Sequence, residues 1–196
     1  MYYSKDYVIY EAQKRLLQIK SYRLHHCCSH LSGEFESMYQ FILKSDKNFT
    51  SNKGLLKYTN AVYWGEIRGG EKRGYGIEIF DDGTFYMGEF RNGRCTGEGF
   101  QITTSGDVYK GEFVDGKLNG SVCVYYRSID TEVDGVFVND SLCKVNTASD
   151  SFEYKQQGKD KMIYDRNTGN YSKESSGCAG FIVLAVIIFI IFKCCS

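Results

Sequence analysis

The sequence predicts a mainly β protein: a single-layer, twisted antiparallel sheet of stacked hairpins, with a short helical region before it and a transmembrane helix after it. Three observations carry this. A pattern, Tyr-x-Gly-Glu-(Phe/Ile)-x-x-Gly-x-x-x-Gly, recurs at a spacing of 23 residues. Between copies, apolar and polar residues alternate around Asp-Gly and Asn-Gly pairs. Finally, the 18 residues from Ser175 to Phe192 carry no charge.

The pattern occurs as Tyr63, Gly65, Glu66, Ile67, Gly70, Gly74, then as Tyr86, Gly88, Glu89, Phe90, Gly93, Gly97, and again as Tyr109, Gly111, Glu112, Phe113, Gly116, Gly120. A period in the twenties marks an array in which each unit is one supersecondary element stacked on its neighbours. Alternation at period two, as in Gly76-Ile77-Glu78-Ile79-Phe80, marks a half-buried strand. Asp82-Gly83, Asn92-Gly93, Asp115-Gly116 and Asn119-Gly120 supply hairpin-turn signals, because such turns need positive φ. Each unit therefore reads as a β-hairpin, and at about 4.8 Å per strand three units extend the sheet by roughly 29 Å. The third copy departs from the others: Val122 stands where they have Gly76 and Gly99, and Ile129 where they have Gly83 and Gly106. A fourth start, Gly135-Val136-Phe137, falls one residue out of register and lacks the Glu. Upstream, Leu55–Val62 aligns with the second strand of a unit, Asn60 taking the turn position, and reads as a capping strand.

These residues make the stretch 63–126 resemble the MORN repeat (membrane occupation and recognition nexus), with units at 63–85, 86–108 and 109–131 inside an array of 54–142. The resemblance implies a stacked-hairpin sheet and roles in scaffolding, self-association or phosphoinositide binding. Repeats joined to a C-terminal anchor are also similar in layout to junctophilins, which bridge two membranes, although that family has more repeats and a longer intervening segment.

Residues 1–50 read as helical. Val8, Ile9, Ala12, Leu16 and Ile19 share one helical face, and Phe35, Met38, Tyr39 and Ile42 cluster within Glu34–Lys44. Two roles fit this pair of helices: binding a partner, or covering an apolar face at the end of the array. Residues 143–174 are polar and read as a linker, whose roughly 30 residues reach at most about 100 Å when extended. The segment 175–192 forms a helix of about 27 Å, against a hydrocarbon core of roughly 30 Å; 193–196 is a short tail. A buried β-strand is the alternative for this apolar run. No signal-like apolar stretch opens the chain, and Lys159, Lys161, Arg166 and Lys173 lie upstream of the segment while Lys193 alone lies downstream. The expected arrangement is tail-anchored, single-pass, with the N-terminal domain cytosolic, in the endoplasmic reticulum or another thin endomembrane. In that arrangement the sequons at Asn48, Asn119, Asn139 and Asn170 stay unmodified. Cys178, Cys194 and Cys195 flank the segment and are candidate S-acylation sites.

Composition narrows the function. Basic and acidic residues balance at 24 each, which argues against bulk nucleic-acid binding. Eight cysteines in 196 residues, with Cys95, Cys123 and Cys143 isolated, fit a reducing compartment. The His25-His26-Cys27-Cys28-Ser29-His30 cluster has donors for a metal but lacks a second cluster to complete four ligands. Gly111 to Lys117 imitates a phosphate loop, yet Leu118 replaces the hydroxyl residue and the segment lies across a predicted hairpin. No nucleophile, base and acid set is visible, and Glu66, Glu89 and Glu112 recur because the fold uses them. The expectation is a non-enzymatic scaffold or adaptor with no cofactor and no metal, binding a protein partner or itself. The alternative is an anionic-lipid recognition module or membrane tether. The candidate binding surface is an aromatic ladder of Tyr63, Trp64, Tyr86 and Tyr109 with basic residues near the turns, chiefly Arg91, Arg94 and Lys117.

Overall fold

The computed structural model describes residues 3–24, 28–44 and 53–146, together with the backbone of 152–157, 160–165 and 170–173. Two helices, α1 (Lys5–Lys20) and α2 (Leu31–Lys44), precede nine strands: β1 (Lys53–Lys57), β2 (Ala61–Arg68), β3 (Glu71–Phe80), β4 (Phe85–Arg91), β5 (Arg94–Ile102), β6 (Val108–Val114), β7 (Lys117–Tyr126), β8 (Thr131–Val138) and β9 (Ser141–Val145). The nine form one antiparallel sheet in strict chain order. A three-stranded sheet of its own follows within the expected linker: β10 (Phe152–Gln157), β11 (Asp160–Asp165) and β12 (Asn170–Lys173).

The turns explain the order. On one rim, two-residue turns at Gly69-Gly70, Asn92-Gly93, Asp115-Gly116 and Asn139-Asp140 all have both residues at positive φ, the geometry whose twist suits a tight hairpin. The last three of these turns are also tied to the second strand of the preceding hairpin: Gly93 N–H donates to Lys72 O, Gly116 N–H to Cys95 O, and Asp140 N–H to Leu118 O. Longer connections of three to five residues, at 58–60, 81–84, 103–107 and 127–130, line the other rim. Asn119-Gly120 is not a turn: it lies inside β7, where Glu112 sits beside Gly120.

The array is longer than its sequence pattern. A row of glycines crosses the sheet through direct pairs, Gly54 with Gly65, Gly65 with Gly76, Gly76 with Gly88, Gly88 with Gly99, and Gly99 with Gly111. Val122 then pairs with Gly135, so Gly135 lies in the same row despite its offset in sequence. The extra residue is absorbed in a 3-10 turn at Arg127–Ile129. The hairpin β8–β9 is thus a further, degenerate unit, and β1 is the capping strand expected from Leu55–Val62.

The nine strands form the single layer expected, and the helices cover one face of it. Alternation sends Val62, Trp64, Ile77, Ile79, Phe85, Met87, Phe100 and Ile102 to one face, where α1 and α2 cover them with Val8, Ala12, Ile19, Leu31, Phe35 and Ile42. Of the two roles open to the helices, covering the apolar face is the one their packing fills. Ser4 caps α1 by accepting from Tyr7 N–H at 3.1 Å. Helix α1 crosses the strands along the longer-turn rim: Arg15 Nη2 donates to Gly83 O at 2.9 Å, and Tyr22 Oη donates to Gly106 O at 2.9 Å. Seven residues of helical chain advance about 10.5 Å, close to the roughly 9.6 Å of one two-stranded unit. Arg15 and Tyr22, the latter just past the end of α1, thus reach two successive turns of this rim.

Cys28 and Cys123 are disulfide-bonded, with Cα atoms 6.3 Å apart. Cys123 was expected to stand isolated; the fold brings it beneath the start of α2 across 95 residues of sequence, a distance that spacing alone cannot reveal. Among the described residues no helix is long and apolar enough to cross a membrane, and the segment 175–192 lies outside them.

Candidate binding surface

The repeat's tyrosine and glycines form one device on the face opposite the helices. The ring of Tyr63 lies on the glycine row: a Cβ at Gly76 would come within 2.3 Å of Tyr63 Cε2, and one at Gly65 within 2.5 Å of its Oη. Tyr86 lies likewise on Gly88 and Gly99, at 2.6 and 2.5 Å from Oη. Only residues without a side chain admit a flat ring there. Each hydroxyl then reaches the backbone, Tyr63 Oη donating to Glu66 O at 2.7 Å and Tyr86 Oη to Glu89 O at 3.2 Å. Phe90 packs edge-on against both rings. Burial lifts both phenols well above the ordinary tyrosine range, and nearby carboxylates add to the lift.

The third copy breaks the device at Val122. Its tyrosine, Tyr109, is half-buried and turns toward Tyr126 and Phe137. Two columns change with it. Lys72 and Glu78 in the first unit become Cys95 and Gln101 in the second, then Leu118 and Val124 in the third. Lys72 Nζ pairs with Glu78 and lies 5.0 Å from the Tyr58 ring and 5.3 Å from the Phe90 ring. Burial raises the Glu78 carboxyl despite that lysine, and pushes the Cys95 thiol up to about 12. In these two columns the face grades from a buried ion pair at one end to buried aliphatic side chains at the other.

Tyr63, Trp64 and Tyr86 are therefore interior, at 0, 3 and 2 % exposure. Trp64 does not even share their face: it lies under the helices between Lys5 and Lys53. Among the basic residues, Lys72 and Lys110 are committed to carboxylates, Lys110 to Glu98 at 2.9 Å and Glu34 at 3.4 Å. Arg68, Arg73, Arg91, Arg94 and Lys117 are exposed near the two-residue turns, with Arg91 directly opposite Arg94. The repeated acids have structural positions: Glu66 and Glu89 crowd the positive-φ glycines Gly74 and Gly97, and Glu89 accepts from Tyr75 Oη at 2.8 Å.

One groove, of about 760 Å³, opens between α2 and strands β5 and β6. Ser29, Ser32 and Ser37 line its helix side, and Glu98 and Lys110 its floor. Sequence reading missed it, since nothing in the repeat says where α2 lands. The Gly111 to Lys117 segment forms the β6–β7 hairpin, as its repeat context predicts. Among the described residues no group of His, Cys, Asp and Glu side chains is placed to hold a metal ion. His25, His26, Cys27, Cys178, Cys194 and Cys195 lie outside the described residues.

Family models of the MORN repeat match residues 63–85, 86–108 and 109–121. The chain carries MORN repeats. The matches stop at the strand where Val122 interrupts the glycine row, and the fold carries MORN-like pairing one hairpin further. No curated protein matches the chain. MORN repeats of this kind are consistent with a scaffold or binding module, and the filled faces of this one direct any contact to its rims, its groove and its helices.

Proposed function

We propose that this chain is a membrane-anchored, non-enzymatic scaffold that presents a MORN sheet to a protein partner. The observation that carries the reading is the pairing of MORN repeats with the uncharged run of 18 residues at 175–192. Such a run is long enough to span a thin bilayer as a helix. The excess of lysine and arginine upstream of it favours a cytosolic sheet. The turn rim and the groove between α2 and the sheet are the surfaces left for a partner, because the two faces of the sheet are already occupied.

A lipid-reading role is the alternative, and one observation favours it. Arg91 and Arg94 face each other across a single hairpin tip, a like-charge pair that an anion would relieve. Basic groups beside an anionic membrane each add around 1 kcal/mol of attraction. Flotation of residues 1–174 with liposomes separates the two. The scaffold reading expects no dependence on phosphoinositide; binding that requires it, and is lost when Arg91, Arg94 and Lys117 are changed to Glu, supports the lipid role.

A further inference from the structure

We propose that the Cys28–Cys123 disulfide is a redox latch that fixes one wall of the groove between α2 and the sheet, and that its reduction releases that wall. The proposal rests on the cytosolic reading above, because disulfides in a reducing compartment are characteristically transient and redox-sensing.

A row of paired residues crosses the sheet beneath α2. Phe100 on β5 pairs with Lys110 on β6, Lys110 with Cys123 on β7, and Cys123 with Asp134 on β8. The chain above meets this row residue by residue. Cys28 is bonded to Cys123, Glu34 Oε2 lies 3.4 Å from Lys110 Nζ, and the Phe35 ring meets Phe100 edge-on at 5.3 Å. The bond and the ring contact hold two ends of one short span, and the groove opens along it. Its wall begins at the residue after the bond, with Ser29, His30, Ser32, Gly33 and Glu34.

That wall is poorly held by its own composition. Ser29, His30 and Gly33 are exposed, and Ser32 and Gly33 are weak helix formers in the first turn. Leu31, Phe35, Tyr39 and Ile42 seat the rest of α2 in the core. Once the bond is broken, Cys28 N–H still donates to Glu132 Oε2 at 3.0 Å, and Lys110 still pairs with Glu34. Water competes for both of these polar ties. Reduction therefore loosens the first turn while the helix as a whole stays docked.

The chemistry is thiol–disulfide exchange with a small thiol of the glutathione class. Cys28 is fully buried and Cys123 is half-buried, so the Cys123 sulfur is the one a small thiol reaches. The thiolate attacks Cys123 Sγ, the protein's S–S bond breaks, and Cys28 leaves and takes up the proton that the attacking thiol lost. A second small thiol attacks the small-molecule sulfur of the mixed disulfide and releases Cys123 as a thiol. Two small thiols are thereby oxidised to one disulfide, and the protein disulfide is reduced to two thiols. The reverse sequence, driven by the small disulfide, sets the latch again.

Hydrogen exchange on the full-length chain in detergent tests the latch, comparing oxidised protein, glutathione-reduced protein and the Cys123→Ser variant. The Glu34 amide donates to His30 O, and the amides from Glu34 to Met38 are the first that bond within the helix. They are expected to exchange about tenfold faster or more in the reduced chain and in Cys123→Ser, with α1 and β4 unchanged. Equal rates in the two redox states overturn the proposal. Faster exchange throughout the sheet on reduction also overturns it, since the bond is then a general staple. Thiol alkylation and mass mapping of the same samples follow the bond itself. It is expected to open in excess reduced glutathione without denaturant, and to re-form between Cys28 and Cys123 when oxidised glutathione is added. A bond that resists reduced glutathione in the folded chain, or that fails to re-form, overturns the latch. These readouts use purified chain and do not depend on which side of a membrane the sheet faces. Their failure is thus distinguishable from that of the cytosolic reading, which protease accessibility reports.

Discussion

The second and third MORN units open with the same Tyr-x-Gly-Glu-Phe, yet their tyrosines have different environments. Tyr86 lies flat on Gly88 and Gly99, is 2 % exposed, and donates to the backbone. Tyr109 has Gly111 on its own strand but meets Val122 where Tyr86 has Gly99, and it turns away to Tyr126 and Phe137. One methine and two methyls separate the two outcomes. The comparison assigns the repeat's glycines their purpose at this row, which is to admit a ring close to the backbone; the turn glycines answer a different need, for positive φ.

The most damaging way to probe the difference is to impose the third unit's residue on the second. Gly99→Val places a branched side chain where even a Cβ comes within 2.5 Å of Tyr86 Oη. Overpacking together with a stranded buried hydroxyl is expected to cost about 3 kcal/mol or more, read as a drop in the urea midpoint of the full chain. An unchanged midpoint would mean that the ring is not confined as described.

Alkali gives a second contrast. Both Tyr63 and Tyr86 have phenols raised far above their unfolded value, by burial first. Stability from such groups is fully present below the unfolded tyrosine value near pH 10 and is lost as pH rises toward the folded one. Each fully shifted tyrosine then removes about 1.4 kcal/mol per pH unit in that window. Absorbance of tyrosinate should therefore show a class of phenols that ionise only as the chain unfolds; their smooth titration in a folded chain would contradict the burial. A gentler cut removes single hydroxyls. Tyr86→Phe is expected to lower stability by about 1 kcal/mol, and Tyr109→Phe by less than Tyr86→Phe, because only Tyr86 donates to buried backbone. Equal losses in thermal unfolding would erase the distinction between the units. At the small end, Arg91→Glu with Arg94→Glu should alter stability by no more than about 0.5 kcal/mol, since both side chains are exposed at a turn. A large loss in the same thermal assay would reveal a structural partner for this rim.

Much of this fold was legible because repetition multiplies weak signals. Glycine at the same turn position in three copies, preceded by Asx in two of them, together with alternating residues, fixes hairpins that a single copy would leave ambiguous, and Leu55–Val62 could be placed as a cap by alignment with the repeat. The helices' own faces were readable from spacing, but not their landing site, which depends on side chains spread over strands β2 to β7. Asn119-Gly120 misled because Asn-Gly suits a turn and a bulged strand equally, and Gly120 with φ 86 serves the second use. The disulfide between Cys28 and Cys123 is a product of tertiary placement alone. The candidate surface suffered most, since a column of repeated tyrosines looks the same whether it faces a partner or lies on the chain's own glycines. The aligned columns held a usable clue: Lys72, Cys95 and Leu118, read together, show a face losing its charge along the array.

The central claim is that this MORN sheet is held at a membrane and displayed on its cytosolic side. Alkaline carbonate extraction of membranes carrying the full chain, followed by protease treatment of the intact vesicles, tests it most directly. The account predicts that the protein stays with the membrane pellet and that residues 1–174 are accessible to protease from the outside. Release by carbonate would contradict the anchor. A protected sheet with the Cys28–Cys123 bond intact would place it in an oxidising lumen and contradict the orientation.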